Sequence, residues 1–294
     1  MSSVLQARLA RLDPARVSGR AAAASAVPAT GPGLSDLVAR LERLRARAAP
    51  VEVRSAAPLA ARLGGTEVED GVIEVERRLP LWHRQGRVSL ARLADTDPAR
   101  AGIRGGAGRI GDLLFLDTET TGLAGGTGTV AFVVGLGALS GGHFVLRQFV
   151  LARPGAEAAM LARLAAGFAP QTMLASYNGK SYDLPLLATR FRLARLPDPC
   201  AGRAHADLLH AARRALRGQV PDFRLKTVEE AVLRHRRRDD LPGSEAPAAW
   251  RALLREGRWE PLAGVLRHNR DDLVSLAALF VHLACIAPVA NGLI

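Results

Sequence analysis

The segment DLLFLDTETTG, residues 112–122, decides the fold prediction. Its first half is an apolar run typical of a buried β-strand, and the run ends on two acids, Asp117 and Glu119. Side chains two residues apart share one face of a strand, so these carboxylates point to one place while Thr118 faces away. Like charges about 4 Å apart repel by about 4 kcal/mol at an effective dielectric constant of 20, so we expect a compensating cation. An isolated pair of acids is also typical of a strand that emerges into solvent.

Two further acidic segments come later in the chain, each next to a predicted helix. The segment YNGKSYD (177–183) follows a predicted strand, and its Asp183 is also well placed to cap the helix that comes after it. The segment HNRDD (268–272) leads into an apolar helix. His268 and Asp272 are four residues apart, so they lie on the same face of that helix. Taken alone, each segment is typical of helix capping or of a solvated face.

Together, the three segments supply the groups that a two-metal phosphodiesterase needs. Mg²⁺ and similar hard cations prefer carboxylate oxygens and keep part of their coordination shell for water and substrate phosphates. Two such ions about 3.5–4 Å apart hold both the attacking and the leaving oxygen of a phosphodiester displacement. Several carboxylates balance the charge of the ions, and a nearby histidine is suited to accept the proton of the attacking water. The predicted set consists of Asp117, Glu119, Asp183, Asp272 and His268.

The elements predicted around these segments describe an α/β fold. Three strands linked by Gly-rich turns come first, and short strands then alternate with helices, which implies a mixed sheet flanked by helices. The predicted strands span 112–117, 130–137, 143–151, 172–176 and 203–207. The predicted helices span 157–168 and 184–195, and the chain from Leu208 onward is mostly helical.

The first third of the chain carries no recognisable catalytic motif. An Ala-, Gly- and Pro-rich stretch over 21–33 predicts a flexible linker. Leucines at three- and four-residue steps predict a short amphipathic helix over 34–44, and alternating residues predict a hairpin over 68–79. The predicted divisions are an N-terminal arm of unknown function (1–107), a catalytic domain (108–286) and a C-terminal tail (287–294).

The combination of segments resembles the DnaQ-like, DEDD-type 3′–5′ exonucleases of the ribonuclease-H-like superfamily, and most closely the YprB-type ribonuclease-H-like domain family. DTETTG matches the first motif, YNGKSYDLPLL the second and HNRDDLVSL the third, and smaller matches are GLAGGTGTVAFVVGLG, HADLLH and RRRDDLPG. The resemblance covers about residues 110–285. It implies a ribonuclease-H-like mixed sheet and 3′–5′ exonuclease activity on single-stranded DNA or RNA, with two Mg²⁺ or Mn²⁺ ions.

The resemblance also assigns roles to individual residues. It implies that Asp117, Glu119, Asp183 and Asp272 hold the metal ions and that His268 is the general base. Histidine-type members usually place that base five residues before the final aspartate, whereas tyrosine-type members use four. His268 combines the four-residue spacing with a histidine side chain. We prefer Asp272 to its neighbour because Asp272 directly precedes the apolar helix. For substrate binding we assign Thr120, Asn178 and Lys180, although Asn-Gly is also an ordinary turn pair.

Composition narrows the class of protein. The 294 residues are 48% hydrophobic, and no apolar run is long enough for a membrane span, so we expect a cytoplasmic protein without membrane contact. The two cysteines, Cys200 and Cys285, form neither a CxxC pair nor a disulfide framework. The net charge of +12 suggests a nucleic-acid partner. Lys180 and Lys226 are the only lysines, however, and an arginine bias from GC-rich coding explains the charge equally well. The oligomeric state is not predicted.

Several features have two interpretations. The run 234–238, RHRRR, either follows a nucleic-acid backbone or forms a solvated helix end. His205, Asp207 and His210 form either a second metal cluster or, by preference, a strand-end cap. We interpret Gly125–Gly128 as a strand connection and Trp250 as core. Two alternatives to the nuclease stay open: a nucleic-acid-binding module without turnover, and a metal-dependent hydrolase of small phosphate esters.

Overall fold

The strand that carries the DTETTG motif lies inside a seven-stranded mixed sheet. The computed structural model describes residues 55–103, 109–122, 127–237 and 241–287. Its strands are β1 (Thr66–Glu69), β2 (Val72–Pro80), β3 (Arg84–Gln85), β4 (Val88–Ser89), β5 (Leu113–Thr120), β6 (Ala131–Ser140), β7 (His143–Leu151), β8 (Met173–Ser176) and β9 (His205–Asp207). The large sheet has the order β1-β2-β7-β6-β5-β8-β9, and β3 and β4 form a separate pair.

The pairing in this sheet agrees with the predicted α/β fold. The strands β5, β6 and β7 are antiparallel neighbours, and β8 and β9 continue the sheet in parallel with β5. The mixed sheet with helices on both sides is therefore confirmed. The strand β5 runs three residues beyond its predicted end and includes Thr120, so the acidic pair lies within the strand and is hydrogen-bonded to β6.

The helices that flank the sheet lie mostly in the second half of the chain. They are α1 (Ala57–Leu63), α2 (Glu157–Ala165), α3 (Asp183–Leu193), α4 (Leu208–Ala215), α5 (Leu225–Val228), α6 (Ala246–Glu256) and α7 (Glu260–Ile286). A π-helical turn, Glu229–Leu233, follows α5 directly. The longest helix in the described ranges is α7, with 27 residues. No helix in these ranges, α7 included, is both long enough and apolar enough to span a membrane.

Two hydrophobic cores cover the two faces of the sheet. On β5, Leu113 and Phe115 point into the core formed with α4 and the second half of α7, whereas Leu116 points into the core formed with α2 and α3. Strand alternation explains this division. Trp250 lies in the second of these cores, where its ring stacks on Phe132 with centroids 5.3 Å apart, so its assignment to the core is confirmed.

The predicted hairpin of the N-terminal arm extends the sheet. Its strands are β1 and β2, and β2 pairs with β7 over nine residues, from Val72 opposite Leu151 to Pro80 opposite His143. The sheet therefore continues across the division predicted at 107/108. Burial supplies the reason: Val72, Ile73 and Val75 on β2 are at most 2% exposed, and an isolated two-stranded hairpin is marginally stable in water.

Some predicted elements lie outside the described residues. They are the linker over 21–33, the helix over 34–44, the first half of the Gly125–Gly128 connection and all of the tail except Ala287.

Candidate active site

The two acids of β5 lie on the face of the sheet that α7 covers. Asp117 and Glu119 share strand parity with Leu113 and Phe115, which are buried in the core beneath α7. Glu119 is 7% exposed, so its side chain is largely removed from water. Both acids belong to the segment of β5 that pairs with β6. The sheet, rather than a loop, therefore positions them.

Asn269 on α7 fixes the position of the Asp117 carboxylate. Its amide nitrogen donates to Asp117 Oδ2 at 2.7 Å and to the Asp117 carbonyl oxygen at 3.3 Å. The Asn269 Oδ1 accepts from the Gln148 amide nitrogen at 2.8 Å, and the same nitrogen donates to the Leu266 carbonyl oxygen at 2.8 Å. Asn269 and Gln148 are both buried, which makes these hydrogen bonds costly to lose. The sequence analysis assigns no role to Asn269 or to Gln148. The signal for Gln148 is a polar side chain within the otherwise apolar strand HFVLRQFVL.

A glycine allows α7 to approach the sheet this closely. Gly135 on β6 lies opposite Asp117. A Cβ atom at Gly135 would lie 2.3 Å from Asn269 Oδ1 and 2.7 Å from Leu273 Cδ1, so any larger residue would displace α7. The Gly-rich character of the segment after the first motif thus has a local physical reason at this position.

Asp183 connects the start of its own helix with β5. It is the first residue of α3, and the N-cap position, Tyr182, makes no side-chain cap hydrogen bond. The Asp183 carboxylate accepts hydrogen bonds from the hydroxyl and the backbone amide of Thr118. Asp183 is thus the first helical residue rather than the N-cap, and its carboxylate also accepts from its own backbone amide. Burial raises the pKa of Asp183 to about 6, although the hydrogen bonds from Thr118 act in the opposite direction.

A buried arginine holds the last acid of the third motif. Asp272 Oδ1 accepts a hydrogen bond from Arg237, which also donates to both carboxylate oxygens of Glu229 at 2.7 and 2.9 Å. The side chains of Arg237 and Glu229 are 2% and 1% exposed. On the other side of Asp272, its Oδ2 lies 3.6 Å from His268 Nε2. The spacing argument for one shared helix face is thus correct for His268 and Asp272.

The position of Arg237 corrects the interpretation of the basic run. The sequence predicts that the run 234–238 follows a nucleic acid or forms a solvated helix end, and neither describes Arg237. Arg234 adopts a left-handed conformation with φ of +56° at the end of the π-helical turn. The chain changes direction there, and Arg237 enters the interior while Arg236 stays exposed near Glu230.

Asp117 is the electrostatic centre of the site. Its pKa is raised well above the ordinary value, first by burial and then by the negative charges of Asp272, Glu119 and Asp183. The hydrogen bond from Asn269 lowers the pKa without cancelling this effect. Acids from three distant segments therefore act on one carboxylate, and a bound cation would relieve the accumulated negative charge.

The predicted substrate-binding residues have local partners outside the acidic cluster. The Thr120 hydroxyl donates to the Gly122 carbonyl oxygen at 2.9 Å. Asn178 has a φ of +64°, and its backbone amide donates to Asp207 Oδ1 at 2.8 Å. The backbone amide of Lys180 donates to Asp207 Oδ2 at 3.1 Å, and its side chain is exposed. Thr120 follows Glu119 on β5, and Asn178 and Lys180 belong to the loop that precedes Asp183. Their contact with substrate stays a prediction.

Asp207 organises the loop after β8. In addition to the two loop amides, it accepts from the backbone amide of Leu209 at 3.1 Å and thereby caps α4. His205 Nε2 lies 2.8 Å from Ser176 Oγ. Of the three residues with two interpretations, His205, Asp207 and His210, the preferred interpretation as a strand-end cap is confirmed for Asp207.

The chemistry of the donor set fits a hard divalent cation. All the proposed ligands are carboxylates, and their mutual repulsion at Asp117 is what such an ion would offset. Within the ranges that the structure describes, no three His, Cys, Asp or Glu side chains are already arranged as a metal-binding group. Protein groups instead donate to one oxygen of Asp117 and one oxygen of Asp272. Each carboxylate has a second oxygen, so these hydrogen bonds are compatible with a bound ion.

The chain is similar to several known proteins. A curated relative, the uncharacterized protein YprB of Bacillus subtilis (strain 168), is 34% identical over 216 residues, which cover 72% of this chain and 48% of YprB. The chain thus spans about half the length of this relative. Escherichia coli exonuclease I in complex with a dT13 oligonucleotide is similar with a TM-score of 0.40 and 18% identity, over 58% of this chain and 40% of that chain. A product-bound structure of exonuclease I gives a TM-score of 0.34 and 22% identity, over 54% and 46% of the two chains.

The family assignment rests on the amino-acid sequence of the segment that forms most of the sheet and its helices. The model of the RNase_H superfamily named RNase_H_2 matches residues 114–284, which is more than half of the chain. The match begins within β5 and ends within α7, so it includes all three acidic motifs. The chain belongs to the RNase H superfamily and is a relative of YprB.

Proposed function

We propose that this protein is a divalent-metal-dependent nuclease that hydrolyses phosphodiester bonds in single-stranded DNA or RNA from the 3′ end. The observation that carries the proposal is that the folded chain brings Glu119, Asp183 and Asp272 from three segments around the buried carboxylate of Asp117. Burial and these charges raise the pKa of Asp117. A protein interior rarely keeps uncompensated charges together without a functional reason. Membership of the RNase H superfamily and the resemblance of the three motifs to DEDD exonucleases support the same activity.

In this proposal, Asp117, Glu119, Asp183 and Asp272 hold two Mg²⁺ or Mn²⁺ ions. When bound, the ions polarise the phosphodiester and offset the charge that develops on it. The protein residues contribute the rest. His268 accepts the proton of the attacking water at Nε2, and Asp272, 3.6 Å from that nitrogen, stabilises the imidazolium. Thr120, Asn178 and Lys180 contact the substrate strand.

The test uses single strands of DNA and of RNA that carry a 5′ label. With Mg²⁺ or Mn²⁺, the wild-type chain should produce a ladder of progressively shorter labelled products. Asp117→Asn should lose this activity by at least about 10³-fold, because the loss of one ligand weakens charge stabilisation worth several kcal/mol. Asp271→Asn is the matched control, since Asp271 is bonded to Arg270 at 2.8 Å and lies next to the proposed ligand. Release of the label as a mononucleotide in the first turnover would contradict 3′–5′ polarity.

His268→Ala tests the general base separately. General-base catalysis contributes about 10²–10⁴-fold, so turnover should fall by that factor while the affinity for Mn²⁺, measured by calorimetry, stays near the wild-type value. An unchanged rate would remove His268 from the mechanism.

One observation favours a second function, a nucleic-acid-binding domain with little turnover. Arg237 donates to Asp272, so one of the four proposed ligands is already partly neutralised within the protein. In that case, oligonucleotides would be retained but not shortened at any Mg²⁺ or Mn²⁺ concentration. Phosphate release from mononucleotides alone would instead indicate a hydrolase of small phosphate esters.

A further inference from the structure

A large open groove lies along the β9 edge of the sheet. It has a volume of about 1140 Å³ and is bounded by residues 99–102, by α3, by the segment 198–205 and by α4. Lys180 and Leu184 line it, and these residues flank Asp183 in the sequence. Pockets for small ligands typically have volumes of about 300–1,000 Å³, so this groove exceeds that range. We call it the β9 groove.

The lining of the β9 groove is basic. Its two acids are Asp198 and Asp207, and both accept hydrogen bonds from backbone amides of the surrounding loops. Their carboxylates therefore stabilise these loops. The five basic side chains are Arg100, Lys180, Arg203, Arg213 and Arg214.

These cations differ in how far the protein itself uses them. Arg203 donates to the carbonyl oxygens of Pro199 and Ala169, so it is a structural part of the wall. Arg213 and Arg214, in the last turn of α4, are exposed, and neither forms an ion pair with another residue in the described part of the chain. Together with the exposed Lys180, they leave positive charge for an external anion.

The remaining lining indicates which part of a nucleic acid the groove fits. The lining contains small aliphatic residues, the two acids, the five cations, Cys200 and two histidines, and no Phe, Tyr or Trp. Stacking on aromatic rings is the usual way in which proteins hold the bases of a single strand. Contacts to phosphates are electrostatic and independent of sequence. The eight residues of α4 alone span about 12 Å, enough to accompany more than one phosphate.

We propose that the β9 groove holds the phosphodiester backbone of the strand on the 5′ side of the scissile bond. The proposal rests on the proposed nuclease function, because that function places the 3′-terminal nucleotide at the acidic cluster. Lys180 would then contact the strand close to the reaction, and Arg213 and Arg214 would contact it further away. The groove thus provides affinity for long strands without preference for their sequence.

The test is a charge reversal at the far end of the groove. The double variant Arg213→Glu/Arg214→Glu is compared with Arg251→Glu/Arg255→Glu, which makes the same charge change at two exposed positions of α6 outside the groove. Binding of a fluorescein-labelled dT12 and rU12 is measured by anisotropy in EDTA, where no metal-dependent cleavage occurs. Milder variants, Arg213→Ala and Arg214→Ala, protect the test against misfolding of the double variant.

We expect the groove variant to bind both oligonucleotides at least tenfold more weakly than the wild type. The two alanine variants, with their losses of binding free energy added together, should account for at least half of the loss in the double variant. The slope of log K against log salt concentration should decrease by about 1.4, or about 0.7 for each lost phosphate contact. The α6 variant should keep the wild-type affinity and slope. Equal affinities in all variants, or an equal loss in both double variants, would overturn the proposal.

Turnover separates this proposal from the proposed function. If the chain is a nuclease, the groove variant should lose kcat/KM on a 12-mer but keep the wild-type value on a dinucleotide, which is too short to reach α4. If the wild type cleaves nothing, the proposed function fails, while the anisotropy measurement still decides whether the groove binds a single strand.

Discussion

Two polar clusters lie side by side beneath α7, and they balance charge in opposite ways. In the first, Arg237 compensates Glu229 and Asp272 inside the protein, with hydrogen bonds to both acids. In the second, Asp117 receives a hydrogen bond from the neutral amide of Asn269, and its pKa is raised by burial and then by neighbouring acids. We infer that Arg237 and Glu229 are structural and anchor Asp272. Asp272 also belongs with Asp117 and its other acidic neighbours to the site that is arranged for a cation from solution.

The largest effect on stability should come from the compensated cluster. Arg237→Met removes the only cation described between Glu229 and Asp272 and leaves two carboxylates without it in the interior. Removal of one partner from a buried ion pair costs about 3–5 kcal/mol, so the free energy of unfolding should fall by about that amount. Chemical denaturation measures it.

A second substitution checks that charge is the cause. Glu229→Gln in the Arg237→Met background removes one of the uncompensated carboxylates and should recover part of the loss. No recovery would mean that Arg237 stabilises the fold by packing alone, and the contrast between the two clusters would lose its basis.

A smaller effect should appear where α7 meets the sheet. Gly135→Ala places a methyl group against Asn269 Oδ1, and overpacking of a core costs about 1–3 kcal/mol. Because Asn269 orients the Asp117 carboxylate, activity should also fall by about 10–100-fold. Steady-state kinetics and thermal unfolding measure the two effects.

Gly137→Ala is the matched control for this substitution. Gly137 lies on the same strand, and a Cβ there would meet Phe144 Cζ at 2.7 Å, away from the acids. The control should lose stability by a similar amount and keep its specific activity. Equal losses of activity in both variants would mean that the path through Asn269 has no special role.

Neutralising an acid of the uncompensated cluster should increase the stability of the metal-free protein, whereas removing Arg237 from the compensated cluster should decrease it. Asp117→Asn removes one of several repelling charges, so the metal-free protein should become more stable by about 0.5–2 kcal/mol, a typical gain when function is removed from a site. Mn²⁺ should raise the melting temperature of the wild type but not of the variant, since only the wild type keeps the ligand. A variant less stable than the wild type without metal would contradict the idea that these acids repel one another in the fold.

The sequence predicts the acids of this contrast but not their partners. Asp117, Glu119 and Asp183 stand at the ends of apolar strands or the starts of helices, and local periodicity is sufficient to find such positions. Local periodicity also identifies the mixed sheet. It does not show that the hairpin of residues 68–79 belongs to that sheet, because the pairing of β2 with β7 joins distant parts of the chain.

The partners depend on contacts between distant parts of the chain. Gln148 meets Asn269 across 121 positions, and Thr118 meets Asp183 across 65. Arg237 is one arginine among several in a run, and only the left-handed turn at Arg234 sends it inward. Composition gives no information on which arginine of such a run is buried, so the two clusters become distinguishable only in the folded structure.

The smallest effect separates burial from charge as the cause of a shifted pKa. His205 lies outside both clusters, and burial lowers its pKa from about 6.5 to about 4. Asp207 acts against burial to a smaller extent, and Lys180 lowers the pKa slightly further. As the pH falls from 6.5 toward 4, the unfolded chain binds a proton at His205 before the folded chain does, so stability falls.

His205→Gln keeps a polar partner for Ser176 and cannot titrate. The wild type should therefore lose about 1 kcal/mol more than this variant between pH 7 and pH 5.5, measured by urea unfolding. Identical pH profiles would show that burial alone does not shift pKa values in this interior, and the raised pKa of Asp117 would then have to come from its acidic neighbours.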